Sequence, residues 1–385
     1  MASRRSTSRS CRSKPSFVAS EAWFVVPGLE HISSSFLQGV VAEESASRTA
    51  HVFVCSGALS FDAARRILPT LPADAAPYVL LCFPLRSQTV PNGVKALTMD
   101  SWSGSEWTKP FVMARGLREA LRVLSRDGVE KIVAYLPHPF DPPGNWFAYF
   151  DERVTRLELL PDGLVNYLKS PHRPLGGVRR LRYEVRVLLR RLAAACYGLR
   201  YRPLAGGHLT QYETIDYSSA WTDQPAGLCT SRGDNIRLLP GRARGAEHAS
   251  PDELSVLVVD QELHSLVGPQ LERRLRARTD ELLRELGVAR IYYKAHPRGR
   301  NRSAQFGSAA QDVSGDTLAE ELAQALRVTH VVGYYSTALL GNYGDGVQRI
   351  AILPGPDVHG LIKREYLAEV IDVLRRADVS LLLLQ

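Results

Sequence analysis

Glu130-Lys131-Ile132-Val133-Ala134-Tyr135-Leu136 is a short run rich in β-branched, aromatic and small apolar residues, and it closes on Pro137-His138-Pro139. Such a run, bounded by turn residues, reads as a strand buried on both faces, the setting of a parallel sheet. On its N-terminal side, residues 108–126 carry Phe111, Leu117, Leu121 and Leu124 close to one helical stripe. Further upstream, His51–Cys55 reads HVFVC and Pro77–Phe83 reads PYVLLCF, with a helical pattern at 60–70 between them. An apolar run at Trp23–Pro27 and a helical pattern at 31–46 precede these. Strand–helix alternation of this kind predicts a parallel sheet with helices on both faces.

A second series of the same kind follows a loop-rich stretch. Leu254–Val259 reads LSVLVV, residues 268–287 are helical, and Arg290–Lys294 reads RIYYK. Thr317–Leu326 is helical, Thr329–Val332 and Arg349–Leu353 read as strands, and 364–377 is a last helix. The expected architecture is α/β: two Rossmann-like domains facing across a cleft. The boundaries read as a disordered tail at 1–18, an N-terminal domain at 19–222, a linker at 223–252 and a C-terminal domain at 253–385. Ligands of open α/β sheets sit beyond the carboxyl ends of the strands. Neither a G-x-G-x-x-G fingerprint nor a Walker phosphate loop is present.

With 385 residues, 45% hydrophobic and 23% charged, the chain is long enough for two real cores and ordinary in composition. The net charge of +8 favours an anionic partner without choosing among nucleotide, lipid surface and nucleic acid. Five cysteines lie scattered with no C-x-x-C spacing, which argues against a structural zinc or iron–sulfur centre and fits a reducing compartment. No apolar run reaches transmembrane length, and residues 1–18 are rich in Ser and Arg, without the apolar core of a secretory signal.

The sharpest chemical signal is Tyr292-Tyr293-Lys294-Ala295-His296-Pro297-Arg298, a strand that ends in a basic cluster. Pro297 keeps His296 on extended backbone. An imidazole there can donate to a phosphate oxygen near working pH. Lys294 shares its side of the strand, and Arg298 can clamp an anion. A solvent-facing basic loop is the alternative. Gly333-Tyr334-Tyr335-Ser336-Thr337 follows a strand and precedes a helix start. Such a turn is either an ordinary N-cap or an anion site.

In the first half, Leu157–Leu160 leads into Pro161-Asp162-Gly163-Leu164-Val165-Asn166-Tyr167. Asp162 at a strand end can take a proton from a hydroxyl, or it can simply satisfy its own turn. Asn166 supports the turn, Glu158 is a weaker candidate base, and His138 is an acceptor-side or structural residue. Trp146 and Trp221 are either walls of an acceptor groove or core.

In this order, Pro161-Asp162-Gly163, His296-Pro297 and Ser336-Thr337 resemble the motifs of bacterial GT-B sialyltransferases, the group of lipooligosaccharide sialyltransferases and capsule polysialyltransferases. Those families carry an acidic-acidic-glycine motif, a His-Pro motif and a Ser/Thr motif; Pro161 departs from the first. The resemblance implies an inverting displacement in which Asp162 is the base and His296 the donor to the leaving phosphate. It places the donor, a CMP-sugar, on the second domain at Lys294, Pro297, Arg298, Gly333, Ser336 and Thr337. The acceptor, a glycan or glycolipid, falls near Gly163, Asn166, His138 and Glu158. No metal or other cofactor is required. A Kdo donor, a UDP or GDP donor on the same fold, and a non-enzymatic basic binding protein are the rival readings.

Residues 173–202 contain arginines at 173, 179, 180, 182, 186, 190, 191, 200 and 202 against Glu184 alone. Leu181, Val185, Leu188 and Leu192 recur at helical spacing. The stretch 177–196 therefore reads as a basic amphipathic helix, either laid on an anionic membrane or packed on the body with its arginines in solvent. Nucleic acid is the least favoured partner. A cytoplasmic protein, peripheral on the inner membrane face, is the expected setting.

Overall fold

The computed structural model describes residues 48–385 except 84–88, 100–104, 106, 169–176, 205–210, 212–213, 225–227, 229–234, 242–252, 297–302, 307–309, 316, 345, 359–361 and 363. The tail at 1–18, the run at Trp23–Pro27, the helix expected at 31–46, and Pro297 and Arg298 lie outside the described residues.

The first half runs β1 (Arg48–Cys55), α1 (Ala58–Ile67), β2 (Ala76–Leu81), β3 (Lys95–Thr98), α2 (Lys109–Arg126), β4 (Val129–Leu136), α3 (Pro142–Tyr149), β5 (Val154–Leu159), α4 (Gly177–Cys196), β6 (Ser219–Thr222) and β7 (Ile236–Leu238). Its sheet has the order β3-β2-β1-β4-β5-β6-β7, with every pairing parallel. The strands expected from His51, Pro77 and Glu130 are all there. Helices cover both faces. α2 packs with Val52, Val54, Leu80 and Ala134 in one core, and α1 with Phe53, Val79 and Leu81 in the other. Alternate residues of the same strands thus feed two cores, which explains their unbroken apolar reading.

The second half runs β8 (Ser255–Val259), α5 (Leu263–Val267), α6 (Pro269–Glu285), β9 (Arg290–Lys294), β10 (Ala310–Asp312), α7 (Ala319–Leu326), β11 (His330–Gly333), β12 (Gln348–Pro354), α8 (Arg364–Arg376) and β13 (Ser380–Leu384). The sheet order is β10-β9-β8-β11-β12-β13, again all parallel. The step from β8 outward in both directions makes its carboxyl end a topological switch point, the usual ligand crevice of such sheets.

Two boundaries differ from the sequence reading. β7 lies inside the stretch expected to be a linker and pairs with β6, so the first sheet reaches beyond residue 222. Its three residues, IRL, are too short for periodicity to reveal. Second, Leu164, Tyr167 and Leu168, from the first half, are buried in the core of the second. Both sheets belong to one compact unit, Ser45–Gln385. An Arg65–Glu321 ion pair at 3.0 Å adds a bond between α1 and α7.

Candidate functional site

Three adjacent strands of the first sheet, β1, β4 and β5, end side by side. Just past their ends stand Ser56, His138 and Asp162. The Ser56 hydroxyl donates to Asp162 Oδ1 at 3.2 Å, and His138 Nε2 lies 3.5 Å from Asp162 Oδ2. The Phe140 amide N–H points at His138 Nδ1 at 3.2 Å. Nδ1 is therefore the acceptor, and in the neutral ring the proton sits on Nε2, facing the carboxylate. Asp162 keeps 24% of its side chain exposed, so the carboxylate is both held and reachable.

The turn that carries Asp162 is locked from below. Asn166 is buried; its Oδ1 accepts from the Asp162 amide at 2.9 Å and its Nδ2 donates to the Leu160 carbonyl at 3.2 Å. Asn166 thus positions the Asp162 turn rather than facing the crevice. Gly163 has φ +113°, open to glycine and strained for other residues. The neighbouring turn at His138 is equally fixed. A Cβ on Gly144 would lie 2.3 Å from the His138 carbonyl oxygen, so only glycine lets α3 close on this loop. Asn145 then donates to the Pro139 carbonyl at 3.0 Å.

Glu158 is enclosed in a polar cluster. It is 1% exposed and accepts from Ser219, from Trp221 Nε1 at 3.1 Å and from Arg156 at 2.7 Å. Its partners on β6 and Arg156 close this carboxylate into a polar cluster within the sheet. Trp221 is buried by the same contact, and the half-buried Trp146 bonds Asp151 at 3.3 Å and packs against the core under α2.

In the second sheet, Lys294, Val259 and Gly333 form one row across β9, β8 and β11. His296 stands two residues past this row and Ser336 three. The strands carrying them are not neighbours: β8 lies between, so the two strand ends are roughly 10 Å apart. The backbone at Ala295 is anchored by its amide to Ser314 Oγ at 2.8 Å, which fixes the approach to the half-buried His296. Lys294 Nζ donates to the Gly315 carbonyl at 2.7 Å, a loop-tying contact, so it braces the edge. Gly333 backs against the Val259 carbonyl, 3.2 Å from where its Cβ would be, which lets β11 finish close to β8.

Under this edge lies a charged network that the sequence did not announce. Asp260 is 3% exposed and accepts from Arg276 at 2.9 Å and from the Tyr293 hydroxyl at 2.5 Å. Arg276 also bonds Glu272 at 3.1 Å. Tyr334 closes the cluster through Thr279 at 2.8 Å, and burial pushes its phenol up to about 12. A buried, fully partnered network of this kind gives a rigid base for the loops above it. The Tyr335 hydroxyl, one residue on, is buried without a hydrogen-bond partner among the described residues.

The two edges meet at Thr337. Its Oγ1 accepts from the Leu164 amide at 2.9 Å, and the Ser336 hydroxyl accepts from the Ala338 amide at 3.2 Å as a cap. Each hydroxyl acts as acceptor in these bonds and keeps its own proton to donate. The structure thus joins Asp162 and the Ser336-Thr337 turn, and puts His296 on the same sheet edge as that turn. Ser56 is the residue that sequence reasoning missed, since its contact with Asp162 spans 106 residues. Among the described residues, no cluster of three His, Cys, Asp or Glu side chains could hold a metal ion.

No family model matches the chain, and no curated protein matches it by sequence. Solved structures do match. An alpha/beta-galactoside alpha-2,3-sialyltransferase from Photobacterium phosphoreum superimposes with a TM-score of 0.50 at 10% identity, over 87% of this chain and 99% of that one. A 2,6-sialyltransferase from a Vibrionaceae Photobacterium species, crystallised with the donor product CMP and the acceptor substrate lactose, gives 0.50 at 10% identity, over 87% of this chain and 78% of that one. The GT-B domain of a Photobacterium damselae sialyltransferase gives 0.47 at 13% identity, over 86% and 99%. These structural neighbours are bacterial GT-B sialyltransferases, and the α/β fold of this chain, two parallel sheets with helices, is the GT-B fold.

Proposed function

We propose that this protein is an inverting glycosyltransferase that moves a sialic acid, or a related ulosonic acid, from a CMP-sugar to a hydroxyl of a glycan or glycolipid. The observation that carries the reading is the Asp162 carboxylate, held by Ser56 and His138 at one strand edge and tied through Thr337 to the edge that bears His296. A base on one side and phosphate donors on the other are what a single displacement needs.

Asp162 takes the proton of the acceptor hydroxyl as its oxygen attacks the anomeric carbon. The bond from that carbon to the CMP phosphate breaks on the opposite face, so configuration inverts. Negative charge grows on the departing phosphate, where His296 donates a proton or a hydrogen bond. Ser336 and Thr337 add their hydroxyl protons there, and fixed donors aimed at developing charge lower the barrier. His138, with its proton on Nε2, keeps the carboxylate turned to the acceptor side. Pro161 occupies the first acidic position of the family motif, so the chemistry rests on Asp162. These side chains meet the charge of the leaving group without requiring a metal.

The test is turnover, scored as CMP release, with CMP-sialic acid, CMP-Kdo, UDP-sugars and GDP-sugars offered separately with glycan acceptors. Release from CMP-sialic acid supports the reading, and release from CMP-Kdo alone narrows the donor to the other ulosonic acid. Turnover only with UDP- or GDP-sugars overturns it. His296→Ala should abolish most of the release while the melting temperature stays put; an active His296→Ala would remove His296 from the mechanism.

A further inference from the structure

Helix α4 faces the wrong way for an ordinary surface helix. At about 100° per residue, Leu181, Leu188 and Leu192 fall within about 40° of one another, and they are 65%, 53% and 48% exposed. The large exposed hydrophobics among the described residues are Trp107, Leu238 and these three leucines, so most of that class sits on one ridge. The buried side of the helix is opposite, at Val187 and Ala194. Arg180 and Arg191 lie about 80–100° from the ridge on one side and Arg182 about 100° from it on the other, all exposed. A surface helix is expected to point its apolar stripe at the core; this one points a second stripe outward, with positive charge on either side of it.

We propose that α4 docks this protein on an anionic lipid surface, with the Leu181–Leu188–Leu192 ridge at the acyl boundary and the flanking arginines among the phosphates. Arginine stems can lie along apolar surface while their guanidinium groups reach outward to headgroups, so this layout suits an interface rather than bulk water. Val185 completes a spacing that also suits a helix pair with a second copy. Charge argues against it: pairing would bring one set of arginines against an identical set with only Glu184 to offset them. Anionic lipid meets the same charge with its opposite.

The helix is fastened to the body on its inner side. Arg190 bonds Asp141 at 3.3 Å, and its guanidinium lies 3.9 Å over the Phe140 ring. Phe140 in turn donates to His138. A membrane under α4 would therefore lie across the helix from the loop that braces the carboxylate site. Docking stands on the helix alone and does not depend on the glycosyl-transfer reading.

The test is flotation of the full chain with vesicles of phosphatidylcholine alone and with phosphatidylglycerol added, at low and at physiological salt. Binding to the anionic vesicles only is expected. Leu181→Ser/Leu188→Ser/Leu192→Ser should weaken it by at least about tenfold with circular dichroism unchanged, and Arg180→Gln/Arg182→Gln/Arg191→Gln should weaken it comparably. In case the triple leucine variant fails to fold, Leu188→Trp supplies a second readout. Its emission should shift to the blue on anionic vesicles and be quenched by brominated lipid beyond the wild-type signal. Absence of vesicle binding, leucine variants that bind as well as wild type, an unshifted Leu188→Trp, a dimer in solution that the leucine variant breaks, or tighter binding to nucleic acid than to vesicles would each overturn the proposal.

Discussion

The hydroxyl of Thr337, at the carboxyl edge of the second sheet, accepts the amide proton of Leu164, two residues past Asp162 in the first half, at 2.9 Å. One side chain thus sets the distance between the proposed base and the phosphate-side turn. Thr337→Val keeps the shape and removes the acceptor, leaving a buried amide unpaired, at a cost of about 1–3 kcal/mol. Its melting temperature should fall, turnover should fall further than stability explains, and Thr337→Ser should recover most of both.

Glu158 and Asp162 are four residues apart and should respond oppositely. Glu158→Gln disturbs a closed cluster with Ser219, Trp221 and Arg156. It should lower the melting point while leaving CMP release per folded molecule within about threefold of wild type, since no reacting group is touched. Asp162→Asn should do the reverse, losing on the order of a hundredfold or more in turnover with little change in stability. Thermal melts and initial rates on the same preparations check both.

Gly144→Ala would push a methyl group to 2.3 Å from the His138 carbonyl oxygen, and backbone cannot yield as a side-chain tip can. Overpacking of this kind costs about 1–3 kcal/mol, and His138 should shift relative to Asp162, so turnover should drop as well. Gly57→Ala is the control: nothing lies within 4 Å of its would-be Cβ, and its backbone is extended. Melts and rates of the two variants should separate cleanly.

Asp127 closes the turn from α2 to β4. Burial pulls its carboxyl upward, but hydrogen bonds from Lys95 at 2.7 Å and Tyr78 at 2.8 Å outweigh that and hold it below its ordinary value of 3.8. A depressed folded pKa stabilises fully above the unfolded value and stops doing so as pH falls through the folded one. Asp127→Asn should therefore cost about 1–2 kcal/mol at neutral pH, with the gap to wild type closing below about pH 4. Denaturant titrations at several pH values would show it.

Much of the fold was legible because its central strands are buried on both faces. HVFVC, PYVLLCF, EKIVAYL and LSVLVV carry long apolar runs that few other structures use, and β1, β2, β4 and β8 lie where those runs predict. Short edge strands such as Lys95–Thr98, Ile236–Leu238 and Ala310–Asp312 were not, since three or four residues hold no period. Asp162 was visible as a carboxylate at a strand end. Its partner Ser56 was not, because contacts over 106 residues of separation leave no local mark. Glu158 misled for the opposite reason: a buried carboxylate and an accessible one look alike in sequence until the fold closes Ser219, Trp221 and Arg156 around one of them.

Leu164, Tyr167 and Leu168 belong to the first half by position and to the second half by packing. A cut in the 223–252 stretch would therefore not yield two self-sufficient pieces. The downstream fragment would carry a vacant socket lined with apolar groups and should be sticky or misfolded, while the upstream fragment would display three bare side chains. Mixed together, the fragments should rescue one another, and that complementation would occur through the very segment that follows Asp162.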